Sequence, residues 1–278
     1  MNVDRLFAAI ANRPTADAVL AGDGESWRAA GLLAAVDDLA GQLAACRVVA
    51  VLADNGPAWV IADLACLRAG VVHLPLPAFF SVSQLAHALL ETAADCILTD
   101  QPQRLIDLDL GFALVGQRHG LVWMQRAVPA KRLPASTAKV SFTSGSSGAP
   151  KGVCLSAAGL LETAQAVNKR LADLPIAKHL AVLPLALLLE NSAGVYAPLL
   201  RGAQVVLPRL QALGWHGMGR FDAATFERLV DTVRPDSLIL VPELLKAWTL
   251  VRARRDGYAP TPIYVAVGGA RVAPPLLA

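Results

Sequence analysis

One short segment concentrates the side chains that could bind a polyphosphate. Residues 143–152 have the sequence TSGSSGAPKG, which contains three glycines, four hydroxyl side chains and one lysine. Glycines let backbone N–H groups approach a phosphate without an intervening Cβ atom. The hydroxyls can donate hydrogen bonds to phosphate oxygens, and Lys151 supplies a positive charge. The segment is therefore predicted to be a phosphate-binding loop.

Other phosphate-binding segments have different spacing. A Walker A loop has Gly directly before its Lys and Ser or Thr after it, whereas Pro150 precedes Lys151 and Gly152 follows it. A GxGxxG dinucleotide loop is absent, and neither a Walker lysine nor a kinase glycine-rich loop is present. A flexible linker is the remaining alternative. Against it, an alternating strand-like run leads into the segment and the apolar run GVCL leaves it without a polar spacer.

Strand-like and helix-like segments alternate on both sides of this loop, which indicates βαβ units and a largely parallel sheet. The predicted strands are residues 47–52, 70–76, 96–99, 139–143, 178–183, 204–207, 237–241 and 263–267, with short strands at 112–115 and 120–123. The predicted helices are residues 57–68, 83–93, 157–173, 191–200, 223–234 and 242–255. The expected fold is therefore α/β, with parallel-rich βαβ sheets in two lobes. The first lobe would span residues 1–173 and the second residues 174–278.

Composition narrows the functional class. The chain is 55% hydrophobic and 17% charged, as expected for a globular protein with a large core. A net charge of +3 without a basic stripe argues against nucleic-acid binding. The longest apolar run is shorter than the roughly 20 residues of a membrane span, so no span is expected. The four cysteines show neither CxxC nor zinc spacing, which predicts no metal site and four free thiols in a reducing cytoplasm.

The string TSGSSGAPKGV resembles the phosphate-binding loop of the adenylate-forming superfamily: acyl-CoA synthetases, amino-acid-activating domains of peptide synthetases, and luciferases. Residues 48–76, with their Asn-x-Pro turn, are similar to an upstream block of the family. Residues 183–203 are similar to a downstream block. Gly268, Gly269 and Ala270 resemble the turn that packs against adenine. These similarities occur in the family's order and imply the fold of a truncated large N-terminal domain of an acyl-CoA synthetase.

The resemblance implies a two-step reaction and its participants. A carboxylate attacks the α-phosphate of Mg²⁺-bound ATP to give an acyl-adenylate, and a thiol, usually that of CoA, then displaces AMP. The implied ATP phosphate-binding residues are Thr143, Ser144, Gly145, Ser146, Ser147, Gly148 and Lys151. The implied adenine-binding residues are Gly268, Gly269 and Ala270. Leu187 stands where the family usually has a histidine or aromatic at the acyl pocket, and core packing is the alternative role for it.

Some motifs of the family have no counterpart in these 278 residues. They are the tyrosine-glycine-threonine-glutamate motif, the ribose-binding aspartate, the hinge, and the C-terminal domain with its catalytic lysine. No catalytic residue is therefore assigned, and the magnesium-binding glutamate is missing. Glu190 could replace it, although a carboxylate favoured by a helix dipole is the alternative.

Two functions follow as expectations. The first is a fragment of an AMP-forming acid–thiol ligase, with the apolar composition favouring a fatty or aryl acid. The second is a non-catalytic ATP-binding or interaction module that needs a partner for activity. That partner would be a complementing C-terminal chain or a second copy, paired along the apolar strand at residues 263–267.

Overall fold

Two mixed β-sheets, with helices between and around them, form the framework of the protein. The computed structural model describes residues 3–22, 24–143, 150–217, 219–254 and 261–272. In chain order the strands are β1 (Ala18–Gly22), β2 (Glu25–Arg28), β3 (Val48–Leu52), β4 (Val72–Pro75), β5 (Cys96–Thr99), β6 (Ala113–Arg118), β7 (Leu121–Gln125), β8 (Thr137–Thr143), β9 (Lys151–Ser156), β10 (Lys178–Leu180), β11 (Gln204–Val206), β12 (Trp215–His216), β13 (Arg220–Phe221), β14 (Ser237–Leu240) and β15 (Tyr264–Val267).

Helices follow most of the parallel strands. They are α1 (Asp4–Ala11), α2 (Ala29–Leu43), α3 (Pro57–Ala69), α4 (Val82–Glu91), α5 (Pro102–Ile106), α6 (Ala157–Arg170), α7 (Ala197–Arg201), α8 (Ala223–Val233) and α9 (Pro242–Arg252). A π-helical segment, Glu190–Tyr196, directly precedes α7. The start of α4 shows how local sequence fixes an end: Ser81 accepts from the backbone of Gln84, whose side chain accepts from the Ser81 N–H.

The seven-stranded sheet has the order β6-β7-β5-β3-β4-β8-β9, and the six-stranded sheet has the order β15-β14-β10-β11-β1-β2. Strands β5, β3, β4 and β8 run parallel, and β7, β6 and β9 add antiparallel pairs. In the other sheet only β2 is antiparallel to its neighbour. All five residues of the valine-rich strand β3 are buried, as expected for a parallel strand covered on both faces. The predicted α/β class is confirmed.

The N-terminal elements were not predicted, and they join a distant part of the chain. Strand β1 pairs in parallel with β11, with Leu20 opposite Val205. The short, alanine-rich pattern of residues 18–28 gives no local signal for a partner so far along the chain. The first strands thus lie in the same sheet as the strands after residue 173. The two-lobe division at residues 173 and 174 stays a prediction.

The segment between residues 101 and 138 is more ordered than predicted. Strands β6 and β7 are longer than the expected strands at 112–115 and 120–123, and the short helix α5 precedes them. Only two residues connect β6 to β7, His119 and Gly120, and both have positive φ angles of 46° and 82°. Such turns match the twist of antiparallel strands, which explains why the hairpin forms here.

A second correction concerns the helix expected over residues 191–200. The structure instead has the π-helical segment followed by the short helix α7. Pro198 has no N–H to donate to the Gly194 carbonyl, so the regular α-helical ladder cannot continue across this junction. Segments of π-helix are frequent at functional sites, so their side-chain contacts are informative.

The largest apolar core lies between the two sheets and contains residues of both. Helices α2, α3 and α6 contribute buried leucine and alanine side chains to it. All four cysteines are free thiols. Within the described ranges, no helix is both long enough and apolar enough to cross a membrane.

Candidate functional site

The β8–β9 hairpin holds the two ends of the predicted phosphate-binding loop side by side. Thr143 at the end of β8 lies directly opposite Lys151 at the start of β9. Both residues are exposed, and the ammonium group of Lys151 has no hydrogen-bond or ion-pair partner among the described residues. The predicted phosphate ligands Ser144, Gly145, Ser146, Ser147 and Gly148 lie outside the described residues. The hairpin thus presents a hydroxyl and a free ammonium group at the base of the loop.

Strand alternation decides which way these groups face. Lys139 and Thr143 lie on the same face of β8, and directly opposite residues of β9 share that face. Leu155, opposite Lys139, packs against the core between the sheets. Thr143 therefore belongs to the face of the hairpin that is turned toward the six-stranded sheet, whereas Lys151, opposite it at the end of the hairpin, also lines a cavity on the other face.

The other face of the hairpin packs against α4. The His87 Nε2 atom donates to the Pro150 carbonyl oxygen at 3.0 Å, which fixes the residue before Lys151. A Cβ atom on Gly152 would lie 3.1 Å from the rings and methyls of Phe142 and Val140. An open cavity of about 540 Å³ adjoins this face, and Lys151 lines it whereas Thr143 does not.

The predicted adenine turn follows β15 at the edge of the six-stranded sheet. The Gly268 N–H donates to the Leu240 carbonyl at 3.0 Å, and Gly269 has a φ angle of +84° that favours glycine. A Cβ atom on Gly268 would lie 3.2 Å from the Leu189 side chain. Gly269 and Ala270 are exposed. The turn is thus open to solvent on one side and contacts Leu189 on the other.

Leu187, the predicted acyl-pocket residue, is half-buried and packs against the core around β10 and β14. Leu189 instead lines a partly open cavity of about 190 Å³ between the six-stranded sheet and α6, the π-helical segment and α7. Its mainly apolar wall includes Ala193 and Ile239, and its polar members are Asn168, His179, Arg201, Ser237 and Tyr264. The role of Leu187 stays a prediction, and Leu189 is the leucine that joins this cavity to the adenine turn.

Glu190 is fully buried rather than directed toward solvent. Its carboxylate accepts from the Leu183 N–H at 3.0 Å and from His179 Nε2 at 3.1 Å. The other ring nitrogen of His179 lies 2.9 Å from the Ser237 hydroxyl. These contacts hold the buried carboxylate against β10 and the residues that follow it.

A second buried polar cluster was missed by the sequence analysis. The Lys139 Nζ atom lies 2.8 Å from Asp63 Oδ1 and 3.0 Å from the Tyr196 hydroxyl, and it also donates to Asn191 Oδ1. The Asn191 amide donates to Asp63 Oδ2 at 2.8 Å, and His73 Nδ1 donates to Asp63 Oδ1 at 2.6 Å. All five side chains are buried. The available signal was a charged residue in the middle of α3, whose other charged residue is Arg68 in the last turn, and a lysine at a buried position of β8.

Burial and the attraction between opposite charges shift the pKa values of Asp63 and Lys139 in opposite directions. Burial alone raises the pKa of Asp63, but attraction and hydrogen bonds from Lys139 and His73 outweigh it and hold that pKa below its ordinary value. Burial lowers the pKa of Lys139, and Asp63 only partly offsets the effect. The lowered pKa of Asp63 favours the charged carboxylate, whereas the lowered pKa of Lys139 disfavours the charged ammonium group. Because the ammonium group faces three oxygen acceptors, we assign a charged Lys139–Asp63 pair at neutral pH.

His73 gives the folded protein a specific pH dependence. Burial lowers the pKa of His73, whereas the unfolded chain takes up a proton near pH 6.5. The free energy of unfolding should therefore fall by up to about 2 kcal/mol between pH 7 and pH 5, because only the unfolded state gains this proton. The lowered pKa of Asp63 does not change stability between pH 7 and pH 5. Its effect begins as the pH falls toward about 3.9, the pKa of an aspartate in the unfolded chain.

Denaturant unfolding at pH 7 and pH 5 measures this effect. The His73→Asn variant keeps a side-chain donor for Asp63 but has no titrating ring, so its stability should fall less than that of the wild type. Equal losses in both proteins would contradict the assignment to His73.

Comparisons with known proteins identify the family and the fold of the chain. The family model described as AMP-binding enzyme matches residues 6–278. FR901469 synthetase from Dothideomycetidae sp. (strain 11243) is 40% identical over 154 residues, which cover 51% of this chain and 1% of that protein. The o-succinylbenzoate CoA synthetase of Bacillus subtilis, solved with the acyl-adenylate intermediate OSB-AMP, has a TM-score of 0.75 at 20% identity. That match covers 98% of this chain and 55% of that chain.

A third match is the nonribosomal peptide synthetase FmoA3, with a TM-score of 0.70 at 23% identity over 92% of this chain and 27% of that chain. At such identities the two solved structures show the same fold and no more. The chain spans about half of the CoA synthetase and a very small part of FR901469 synthetase. Because the family model matches nearly the whole chain, this protein belongs to the AMP-binding enzyme family.

Proposed function

We propose that this chain binds Mg²⁺-complexed ATP at the β8–β9 hairpin and supports the activation of a carboxylic acid as its acyl-adenylate. The observation that carries the proposal is the pairing of Thr143 with Lys151 at the base of a glycine- and serine-rich loop. The Lys151 ammonium group is exposed and has no partner among the described residues. It is therefore suited to binding a phosphate, because no internal ion pair must first be broken.

The proposed chemistry is positioning and electrostatic stabilisation. Lys151, Thr143 and the loop hydroxyls would hold the β- and γ-phosphates and neutralise the pyrophosphate that leaves. The turn formed by Gly268, Gly269 and Ala270 would contact adenine through its backbone. Its exposed side and the absence of Cβ atoms on the glycines leave room for a flat ring.

The acid is proposed to enter the cavity beside Leu189, which adjoins the adenine turn. A volume of about 190 Å³ with a mainly apolar lining favours a small aliphatic or aryl acid. CoA is the proposed thiol acceptor, supported by the fold shared with a CoA synthetase.

Activation of an amino acid is the second candidate, favoured by similarity to peptide-synthetase-type proteins. The two candidates differ in the acid that promotes exchange of labelled pyrophosphate into ATP. Exchange promoted by aliphatic or aryl acids would support the first. Exchange promoted only by amino acids would support the second and exclude the acid–thiol ligase.

Replacing Lys151 with alanine should weaken ATP binding by about 10- to 100-fold. The reason is the loss of a charge-assisted contact worth about 1.5–3 kcal/mol. Calorimetric titration of the chain with Mg²⁺-ATP measures the effect. Lys169→Ala removes the same charge from an exposed position on α6 and should leave the affinity within about twofold, since it has no predicted phosphate contact. Equal affinities of wild type and Lys151→Ala would contradict phosphate binding at this hairpin.

A further inference from the structure

We propose that Lys139 is a positioning residue for ATP binding: it fixes the phosphate-binding hairpin against the π-helical segment and so sets its place relative to the adenine turn. The inference rests on the proposed function. Lys139 does not reach the loop itself. It lies four residues before Thr143 on the same face of β8, about 13 Å away at the usual rise of a strand.

The network joins elements that are far apart in the chain. Asp63 comes from α3, Lys139 from β8, and Asn191 and Tyr196 from the π-helical segment. A lysine ammonium has three protons, and here three acceptors surround it: one carboxylate, one amide and one hydroxyl oxygen. A fully matched set of this kind permits one arrangement, whereas apolar side chains of the same volume could pack in several.

Consecutive residues of the π-helical segment bind opposite sheets. Asn191 contacts Lys139 and Asp63 on the side of the seven-stranded sheet. Its neighbour Glu190 contacts His179 and the Leu183 N–H on the side of the six-stranded sheet. The segment therefore holds the sheet that carries the phosphate-binding hairpin to the sheet that carries the adenine turn. Lys139 is the member of this linkage that lies on the hairpin strand itself.

Loss of this linkage should weaken nucleotide binding. ATP contacts both the hairpin and the turn in the proposed complex, so any freedom between them must be removed on binding. Disconnecting β8 should therefore weaken ATP binding even in a protein that remains folded. A role in stability alone would leave the affinity unchanged once folding is ensured.

The test compares ATP affinity with stability in the complete chain. The double variant Asp63→Leu, Lys139→Met removes both charges and leaves no unpaired buried ion, which favours a folded product. We expect its calorimetric affinity for Mg²⁺-ATP to fall about tenfold, or about 1.4 kcal/mol. Hydrogen exchange should become about tenfold faster in β8, β9 and the π-helical segment, and not in β14.

Tyr196→Phe is the milder variant, because it removes one hydroxyl from Lys139 and keeps the ring. It should weaken ATP binding about threefold, and it decides the question if the double variant does not fold. Leu6→Ala, at a fully buried position on α1 away from both sites, is the control for instability and should bind ATP as the wild type does.

The outcomes distinguish the positioning role of Lys139 from the proposed ATP binding on which it rests. Wild-type affinity in a folded double variant, or in Tyr196→Phe, would overturn the positioning role. An equal loss of affinity in Leu6→Ala would also overturn it, because instability would then explain the effect. Absence of ATP binding by the wild type would instead overturn the proposed function, and the inference with it.

Discussion

Replacing Gly194 with alanine should lower the free energy of unfolding by about 3–5 kcal/mol, a very large effect for one added methyl group. In the π-helical segment the Glu190 side chain folds back over Gly194. A Cβ atom at this position would lie 2.0 Å from Glu190 Oε1 and 2.8 Å from His179 Nε2. These distances are too short for any contact, so the surrounding groups must move.

Each way of relieving the clash is costly. If Glu190 rotates away, the Leu183 N–H and His179 lose their buried acceptor, at about 1–3 kcal/mol for each group. If Glu190 stays, the backbone of the segment must open, and this disturbs Asn191 and its contact with Lys139. Both routes therefore lower stability, in contrast to an exposed Gly→Ala change in a helix, where no group has to move.

Denaturant unfolding of Gly194→Ala measures the loss. Gly41→Ala is a matched control, because Gly41 lies in α2 with no atom within 4 Å of the added Cβ. That change should raise stability by about 0.5–1 kcal/mol, since alanine is the better helix former. A Gly194→Ala protein within about 1 kcal/mol of the wild type would show that Glu190 does not occupy this position.

The strand that leads into the predicted phosphate-binding loop could be predicted from sequence because its signals are local. The alternation of residues 139–143 indicates a strand and the glycine-rich run indicates a loop, whereas strand β9 after the loop was not predicted. The predicted alternation of apolar strands and helices was correct because each element also has a local sequence pattern. The turn after β15 was also recognisable from the adjacent glycines Gly268 and Gly269, whereas its contact with adenine stays a prediction.

The Lys139 cluster was not predictable, because its partners are distant in sequence. Lys139 lies 76 residues from Asp63 and 52 from Asn191, and Asn191 lies 128 residues from Asp63. Periodicity marks Asp63 as a charge in a buried helix but does not name its partner. The same limit applies to Leu20, whose opposite residue in the sheet is Val205. Only the folded topology brings these residues together.

The second large effect is expected at Asn55, in the Asn-x-Pro turn between β3 and α3. Its side-chain Nδ2 donates to the Leu183 carbonyl at 2.9 Å, and its Oδ1 accepts from the Leu185 N–H at 2.9 Å. Asn55 is 3% exposed. One amide therefore satisfies two buried backbone groups that lie 128 and 130 residues away in sequence.

Asn55→Ala should reduce the free energy of unfolding by about 2–4 kcal/mol, because both backbone groups are left without a partner. Asn55→Asp tests the assignment: it keeps the acceptor for Leu185 but places a carboxylate oxygen against the Leu183 carbonyl, so it too should be destabilising. Gln103→Ala, which removes an exposed amide bonded to Asp107, is the control and should change stability by no more than about 0.5 kcal/mol.

These variants also bear on how the two sheets are held together. Asn55 follows β3 of the seven-stranded sheet, and Leu183 lies just beyond β10 of the six-stranded sheet, where Glu190 binds its N–H. Leu183 is thus bound through its carbonyl by one sheet and through its N–H by the π-helical segment. If stability falls in Asn55→Ala while Asn55→Asp matches the wild type, the Leu183 contact carries no energy, and the contribution of Asn55 to the linkage between the sheets would come from its contact with Leu185.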